Sequence, residues 1–239
     1  MSLLITLCAR GGSKGIPGKN VRLMSGLPLI SYTIRHAFQY AQQVKADVAL
    51  STDSDEIRSV AAQHGLASDY LRPSELASDT AGKVPVLRHL LLHEEQRQNK
   101  RYDFLLDLDV TSPLCTIADL EQGFAILERD PAALNIFSVS PARRSPYFSM
   151  VEEGGDGYVR LCEKPTTTVL SRQSAPKVYD MNAAFYFYRR AFFDTDRQSA
   201  VSERSLVYEM QHPCFDLDTP EDFAFMEFLL ANNKLGFSL

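Results

Sequence analysis

The sequence predicts an α/β fold in which a mostly parallel central sheet carries helices on both faces. Short apolar segments alternate along the chain with longer amphipathic ones, which is the pattern of such a sheet. The length of 239 residues suffices for one domain of this kind, and the hydrophobic content of 45% is ordinary for a globular protein. We therefore expect a single domain over residues 1–239, without a second independent core.

Short apolar runs predict the strands of this sheet. The first run, LLITLCA, contains β-formers, is too short to cross a bilayer, and lacks a basic leader and a cleavage site. We therefore expect it to be a buried strand. The predicted strands lie near residues 3–9, 46–51, 104–109, 134–139 and 183–189.

Amphipathic stretches between these strands predict the helices, and Asp or Ser stands near several of their starts as a cap. The helices are expected near residues 28–40, 54–64, 83–97 and 116–129. A final helix should begin at Thr219, where proline and acidic residues occupy the first turn. The stretch 141–180 breaks the alternation and contains hairpin-like Gly-Gly and Asp-Gly steps, so we expect an excursion outside the main sheet.

Composition excludes several classes of function. A net charge of -5 and a pI near 5.6 argue against a nucleic-acid surface but allow a local cationic pocket. No apolar stretch is long enough to span a membrane. The four cysteines have no close pair or metal spacing, which favours reduced thiols and a cytoplasmic protein. His89 and His93 share a helix face, but their segment supplies too few ligands for zinc.

The loop after the first strand, ARGGSKGIPGKN, predicts a site for a polyphosphate. Its glycines leave backbone N–H groups open to a ligand, and its cations attract negative charge. The glycines are Gly11, Gly12 and Gly15, and the cations are Arg10, Lys14 and Lys19. The alternative is a plain turn with solvated lysines.

Two familiar phosphate motifs do not fit this loop. A Walker loop needs four residues before its Gly-Lys pair and a Ser or Thr after it, but five residues separate Gly12 from Gly18, and Asn20 follows Lys19. The dinucleotide pattern Gly-x-Gly-x-x-Gly is also absent. The loop is therefore of another kind.

Other unusual loops should converge on the same place, because ligands of open α/β sheets bind at the carboxyl ends of the strands. These loops are STDSDE, LRPSELASDT, DLDVTSPL and FDLDTPED. In the last of them, Asp216 and Asp218 alternate along an extended segment, so we expect both carboxylates on one side, where they suit Mg²⁺. The alternative is that one of them only caps the helix that starts at Thr219.

Seven segments, in this order, resemble the CMP-nonulosonate synthetases, or acylneuraminate cytidylyltransferases. They are ARGGSKGIPGKN, STDSDEI, RPSELASDT, TSPL, RQSAP, NAAFY and FDLDT, and the resemblance covers nearly the whole chain. It implies a Rossmann-like nucleotidyltransferase fold and a homodimer built by the excursion. It also implies that CTP and an acidic nine-carbon sugar are coupled to a CMP-sugar with release of pyrophosphate.

The resemblance also implies roles for individual residues. Lys19 is expected at the α-phosphate, Arg10 and Lys14 at the triphosphate, and Arg72 with its following loop at the nucleobase. An exposed surface arginine is the alternative for Arg72, and a buried strand is the alternative for Phe185 and Tyr186. The expected catalytic residues are Lys19, Arg10 and Asp218; the nucleotide-binding residues are Arg10, Gly11, Gly12, Ser13, Lys14, Lys19, Asn20, Arg72, Ser78 and Asp79; the sugar-binding residues are Asp109, Arg172, Gln173, Asn182, Phe185 and Tyr186; and the metal ligands are Asp216 and Asp218.

Within the family, ARRSPYFSMV and APKVYDMNAAFYFYRR look more like the branch that acts on legionaminic acid. Asp109 and Asp180 stand where sialate enzymes typically carry Gln and Arg, and Cys115 replaces the usual arginine of TSPLR. A carboxylate accepts hydrogen bonds, so an acidic sugar pocket should favour the N–H of a second acetamido group. A Kdo or other sugar cytidylyltransferase and a non-catalytic nucleotide-binding module are the alternatives. The combination of Asp216, Asp218 and Lys19 speaks against the second.

Overall fold

A computed structural model describes residues 1–13, 15–164, 174–237 and 239. The strands are β1 (Leu3–Cys8), β2 (Leu23–Met24), β3 (Leu27–Pro28), β4 (Asp47–Ser51), β5 (Phe104–Leu108), β6 (Asn135–Pro141), β7 (Val151–Glu153), β8 (Val159–Leu161), β9 (Tyr179–Arg189) and β10 (Ser205–Glu209). The α-helices are α1 (Leu29–Val44), α2 (Asp55–Gln63), α3 (Lys83–Gln98), α4 (Ile117–Arg129) and α5 (Pro220–Ala231).

The central sheet has six strands in the order β10-β6-β9-β5-β1-β4. β1 runs parallel to β4 and β5, and β10 runs parallel to β6. β9 is antiparallel to both of its neighbours, β5 and β6. The predicted mostly parallel α/β sheet is therefore confirmed. β10 was not expected, because an edge strand pairs on one side only and its residues are mostly half-buried, which leaves a weak apolar signal.

Both faces of the sheet are covered, as the alternation of apolar segments predicts. Along β1, Leu3, Ile5 and Leu7 face a core that includes residues of α1, α4 and α5, whereas Leu4 faces a core that includes α3. The last predicted helix start is also confirmed, since the Thr219 side chain caps α5 by accepting a hydrogen bond from the backbone of Asp222. Among the helices of the described ranges, none is long and apolar enough to cross a membrane.

The predicted excursion leaves the sheet after β6 and contains the antiparallel hairpin of β7 and β8. Val151 lies opposite Leu161, and Glu153 lies opposite Val159, so these four side chains share one face. Three of the four are apolar, and all three are exposed: Val151, Val159 and Leu161. The hairpin therefore presents an apolar face outside the main core.

Candidate active site

A cavity of about 400 Å³, here called the first cavity, lies at the carboxyl ends of the central strands. The glycine loop, the loop before α3 and the segments after β5 and before α5 all contribute to its wall. The sequence-predicted residues in this wall are Arg10, Ser13, Lys19, Asn20, Arg72, Ser78, Asp79, Asp109 and Asp218. The structure thus brings together residues from four separate loops, while Lys14 lies outside the described residues.

Two glycines of the loop have different surroundings. A Cβ atom at Gly15 would lie 2.3 Å from the backbone oxygen of Asp218, so only glycine allows this close approach. A Cβ atom at Gly12 would have no protein atom within 4 Å. The loop is therefore packed against the Asp218 segment at Gly15 and faces open space at Gly12.

The described cations of the loop are held by carboxylates of the site. Arg10 Nη1 lies 2.8 Å from Asp79 Oδ1. Lys19 Nζ donates to the Leu217 carbonyl at 2.6 Å and lies 3.2 Å from Asp218 Oδ1. Both cations are thus directed into the first cavity by contacts from other loops.

Asn20 and Gly11 stabilise the loop itself. Asn20 is 5% exposed, and its side-chain amide donates to the Arg10 carbonyl at 2.9 Å. The Gly11 N–H, which the sequence predicts to be open to a ligand, donates instead to Asp53 Oδ1 at 2.9 Å. The STDSDE loop therefore orders the start of the glycine loop, a contact that the sequence pattern did not reveal.

Arg72 is only 7% exposed, so the alternative of a surface arginine is wrong. Its Nε donates to the Ser51 hydroxyl at 2.9 Å, and its Nη2 donates to the Ser51 carbonyl at 2.7 Å. The guanidinium thus lies at the end of β4 and in the wall of the first cavity. Nearby, the Ser78 hydroxyl donates to the Glu75 carbonyl at 3.3 Å, which orders the same loop.

Lys83 is a residue of the first cavity that sequence reasoning missed. Its Nζ lies 3.0 Å from Asp107 Oδ2 and 2.9 Å from Asp109 Oδ2. Burial alone would lower the pKa of Lys83, but the two carboxylates outweigh it, and the pKa lies well above its ordinary value. Lys83 opens α3, where a cation is unfavourable for the helix dipole, and this mismatch is the signal that the sequence offered.

Asp109 lines the first cavity, but hydrogen bonds from this chain already reach both of its oxygens. Oδ2 accepts from Lys83, and Oδ1 accepts from the backbone N–H and hydroxyl of Thr111, each at 2.9 Å. Burial raises the pKa of Asp109, yet the Lys83 ammonium and these hydrogen bonds bring it below the ordinary value. Asp109 is therefore a stabilised carboxylate.

A second cavity of about 680 Å³ lies beside the first and is bounded by the ends of β6 and β9, the segment 212–216 and α5. Asp180, Asn182 and Asp216 contribute to its wall. Asp218 lines the first cavity instead, so the two carboxylates do not line one common cavity as expected. The segment that carries them is not a regular strand, which explains the difference.

Charged residues of the first cavity nevertheless act on Asp216. Burial, together with the charges of Asp109 and Asp218, raises the pKa of Asp216 to about 7. Its Oδ1 is buried and has no hydrogen-bond partner among the described residues. A buried carboxylate oxygen without a donor, next to two further carboxylates, is a position that a cation would stabilise.

The predicted sugar residues of β9 fall into different surroundings. Asn182 is buried in an irregular part of the β6–β9 pairing, where its Oδ1 accepts from the Ser138 hydroxyl at 2.6 Å and its Nδ2 donates to Ser140 Oγ at 2.9 Å. Phe185 is 0% exposed and packs in the core, so the buried-strand alternative accounts for it. This corrects its assignment to the sugar pocket.

The remaining predicted sugar residues are Tyr186, Arg172 and Gln173. Tyr186 is half-buried and lies directly opposite Asp107 in the β5–β9 pairing. Burial raises the pKa of Tyr186, so the phenol stays neutral in the ordinary pH range. Arg172 and Gln173 lie outside the described residues.

The segment that leads to Asp216 is anchored by His212. Its Nε2 lies 2.8 Å from Asp119 Oδ2, near the start of α4, and the same oxygen accepts the backbone N–H of Thr116 at 2.8 Å. The hydrogen bond to Asp119 raises the pKa of His212. Burial alone would raise the pKa of Asp119, but the hydrogen bonds from His212 and Thr116 lower it to about 2.

Comparison with known proteins places these features in context. Residues 4–234 match the family model described as cytidylyltransferase. The CMP-N,N'-diacetyllegionaminic acid synthase of Campylobacter jejuni is 38% identical over 235 residues, covering 98% of this chain and 97% of the relative. The post-translational flagellin modification protein B of Campylobacter coli is 36% identical over 233 residues, covering 98% of this chain and 97% of the relative.

A solved structure extends this comparison to the fold. The CMP:2-keto-3-deoxy-manno-octonic acid synthetase complexed with CTP has a TM-score of 0.66 at 18% identity, covering 98% of this chain and 100% of that one. This likeness establishes a nucleotidyltransferase-type fold and carries no information about the sugar.

Proposed function

The chain belongs to the cytidylyltransferase family and couples CTP to an acidic nine-carbon sugar, and we propose that this sugar is a diacetamido nonulosonate of the legionaminate type. The observation that carries the proposal is the likeness, over nearly the full length of both chains, to a synthase named for N,N'-diacetyllegionaminic acid. The acidic side chain of Asp180, which lines the second cavity, also sets this chain apart from the sialate pattern, whereas both oxygens of Asp109 are already hydrogen-bonded within the chain. The likeness to the Kdo enzyme supports the fold and not that sugar.

The residues of the first cavity support a role in aligning the two substrates. In the reaction, the hydroxyl at the anomeric carbon of the sugar attacks the α-phosphorus of CTP, and pyrophosphate leaves. Catalysis of such a transfer consists largely of positioning and of stabilising charge on phosphoryl oxygens. We assign Lys19 to the α-phosphate and Arg10 to the outer phosphates, where the triphosphate replaces Asp218 and Asp79 as the partner of these cations.

Arg72 and the Ser78–Asp79 loop are assigned to the nucleobase side of the same cavity. Arg72 supports this role because its guanidinium is buried, lines the cavity and is hydrogen-bonded to a neutral serine. Gly12 supports close approach of the phosphates, because nothing fills the space beside it. Together these residues form a pocket that is cationic where the triphosphate binds.

Asp216 and Asp218 line different cavities, but their charges interact, and they remain the residues that would hold Mg²⁺. The buried Asp216 Oδ1 without a hydrogen bond and the raised pKa of this group fit a cation. No group of three or more His, Cys, Asp or Glu ligands occurs among the described residues, so substrate phosphates would complete the shell, as is usual for Mg²⁺. When bound, the ion would offset negative charge on the phosphates.

We also propose that the protein is a homodimer and works in the cytoplasm. The exposed apolar face of the β7–β8 hairpin supports contact with a second copy through the excursion. The four cysteines are free thiols, which supports a reducing compartment. The molar mass in solution, measured by light scattering, tests the dimer, and a monomeric mass at micromolar concentration contradicts it.

Direct competition between two sugars tests the proposed acceptor. The purified enzyme is given CTP, Mg²⁺ and equal concentrations of N,N'-diacetyllegionaminate and N-acetylneuraminate, and the CMP products are measured by mass spectrometry at low conversion. A hydrogen bond that only one sugar satisfies corresponds to a preference of about 10- to 100-fold for the diacetamido sugar. Equal or reversed yields would return the assignment to sialate activation.

A further inference from the structure

Lys83 stands apart from the other cations of the first cavity, because two carboxylates contact it at once. Its Nζ lies 3.0 Å from Asp107 Oδ2 and 2.9 Å from Asp109 Oδ2, and 37% of the side chain is exposed. An ammonium group has three N–H donors, and among the described residues only Asp109 accepts a hydrogen bond from Lys83, so donors remain for a ligand. The cavity wall includes Lys83, and a ligand in the cavity is within its reach.

We propose that Lys83 is a specificity-determining residue that donates a hydrogen bond to a neutral oxygen of the acceptor sugar, with Asp107 and Asp109 as positioning residues. The proposal rests on the proposed function and specifies how the enzyme recognises the sugar substrate. It also replaces the expectation that Asp109 itself accepts a hydrogen bond from the sugar. The group presented to the sugar is then a donor and not an acceptor.

The position of Lys83 separates it from the residues assigned to the triphosphate. Arg10 and Lys19 belong to the glycine loop after β1 and contact Asp79 and Asp218. Lys83 instead opens α3, and its ammonium group lies at the end of β5, where Asp107 is directly opposite Tyr186 of the neighbouring strand β9. Lys83 thus contacts the strand that pairs with Tyr186, whereas Arg10 and Lys19 contact other loops of the cavity.

The aspartates beside Lys83 make a neutral oxygen a better ligand for its ammonium group than a phosphate or a carboxylate. Asp109 offsets the charge of the Lys83 ammonium, and the ionised fraction of Asp107, whose pKa burial raises, adds negative charge, so the group repels a further anion. A carbonyl or hydroxyl oxygen avoids this repulsion and still accepts from the ammonium. The position of Lys83 is well defined, because its partner Asp107 is fully buried and accepts a hydrogen bond from the Thr6 hydroxyl at 3.0 Å.

The test compares Lys83→Met with Lys83→Arg and with a matched control, Lys100→Met. Lys100 also contacts a carboxylate, that of Asp47, but at the opposite end of the sheet. For each protein, CTP binding is measured by calorimetry, and kcat and KM are measured with both sugars at saturating CTP and Mg²⁺. A thermal melt of each variant reports its folding.

The proposal predicts that Lys83→Met raises the KM for the acceptor by about 10- to 100-fold while the Kd for CTP changes by less than about 3-fold. Lys83→Arg, which keeps the charge but alters the geometry, should give an intermediate KM. Lys100→Met should match the wild type. A larger rise with the diacetamido sugar places the oxygen on its second acetamido group, and an equal rise places it on a group that both sugars share.

The proposal is overturned if CTP affinity falls as much as acceptor affinity, or if neither changes. If Lys83→Met does not fold, Lys83→Met combined with Asp109→Asn removes one of the two carboxylates left without a cation and is measured in the same way. The wild type separates the two levels of inference. A wild type that uses neither sugar refutes the proposed function, whereas an active wild type with an unaffected Lys83→Met variant refutes only the role of Lys83.

Discussion

The tripeptide Asp-Leu-Asp occurs twice in this site, at residues 107–109 and 216–218, and its two copies have different surroundings. In both copies the central leucine is buried. In the first copy, both carboxylates contact Lys83. In the second, Asp218 is 72% exposed beside Lys19, and Asp216 has a buried oxygen without a hydrogen-bond partner among the described residues.

This difference changes the acidity of the two copies. In the first copy, burial raises the pKa of Asp107, while the Lys83 ammonium brings the pKa of Asp109 below its ordinary value. In the second copy, burial and neighbouring carboxylates raise the pKa of Asp216 to about 7. The second copy is hydrogen-bonded to the segment that follows the first, since the Leu217 N–H donates to the Thr111 carbonyl at 2.9 Å. In the first copy, the Lys83 ammonium lies beside both carboxylates, although the buried Asp107 Oδ2 has no hydrogen-bond partner among the described residues. In the second copy, Lys19 lies beside Asp218, and a further cation would stabilise Asp216.

The largest expected effect is on the second copy, where we expect a substitution of Asp216 to lower activity and raise stability. Asp216→Asn should lower kcat/KM by about 10³-fold, because the proposed Mg²⁺ loses a ligand. The same change should raise the melting temperature of the ligand-free protein, because it removes a buried charge that other carboxylates repel. Asp218→Asn should lower activity similarly. Pyrophosphate release and a thermal melt measure both quantities.

Asp196→Asn is the control for this experiment. Asp196 is exposed, and its ion-pair partner Arg88 is not among the residues that line the first or the second cavity. Asp196→Asn should leave kcat/KM unchanged. Near wild-type turnover of both Asp216→Asn and Asp218→Asn at saturating Mg²⁺ would remove the proposed metal site. Lower activity of Asp216→Asn together with a lower melting temperature would show that Asp216 is only a structural group.

The next effect tests the cation that belongs to the second copy. Lys19→Ala should lower kcat by about 10²- to 10³-fold, the cost of removing one preorganised donor to developing charge. Lys19 is already directed into the first cavity by the Leu217 carbonyl and Asp218, so little reorganisation precedes the reaction. Steady-state kinetics at varied CTP measure kcat and KM separately. An unchanged kcat would exclude a contact with the α-phosphate in the transition state.

Much of this arrangement was predictable from local sequence, and the remainder depends on pairing across the fold. Alternating apolar segments predicted five of the strands, and the Thr219 cap predicted the last helix. The identical tripeptides, however, carry the same local signal, and only the topology places Lys83 beside one and Lys19 beside the other. The core position of Phe185 was likewise left open, because alternating aromatic residues fit both a core and a pocket.

For the first copy we expect a smaller effect, and its effect on stability has the opposite sign to that of Asp216→Asn. Asp109→Asn should destabilise the protein by about 1–3 kcal/mol, because the folded state favours the ionised form and the change removes a buried partner of Lys83. Asp216→Asn should have the reverse effect on stability. Chemical denaturation of both variants at neutral pH measures the difference. Equal shifts of the same sign would contradict the contrast between the two copies.

The smallest effect concerns His212, which anchors the segment before the second copy. His212 contacts Asp119, and this contact raises the pKa of His212 above 6.5 in the folded protein. A raised pKa means that the stabilisation is fully present below about pH 6.5 and is lost as the pH rises through the folded pKa. Thermal melts across this range should show the wild type losing about 1 kcal/mol or less relative to His212→Gln. Parallel pH profiles of the two proteins would show that protonation of His212 does not hold the segment before Asp216.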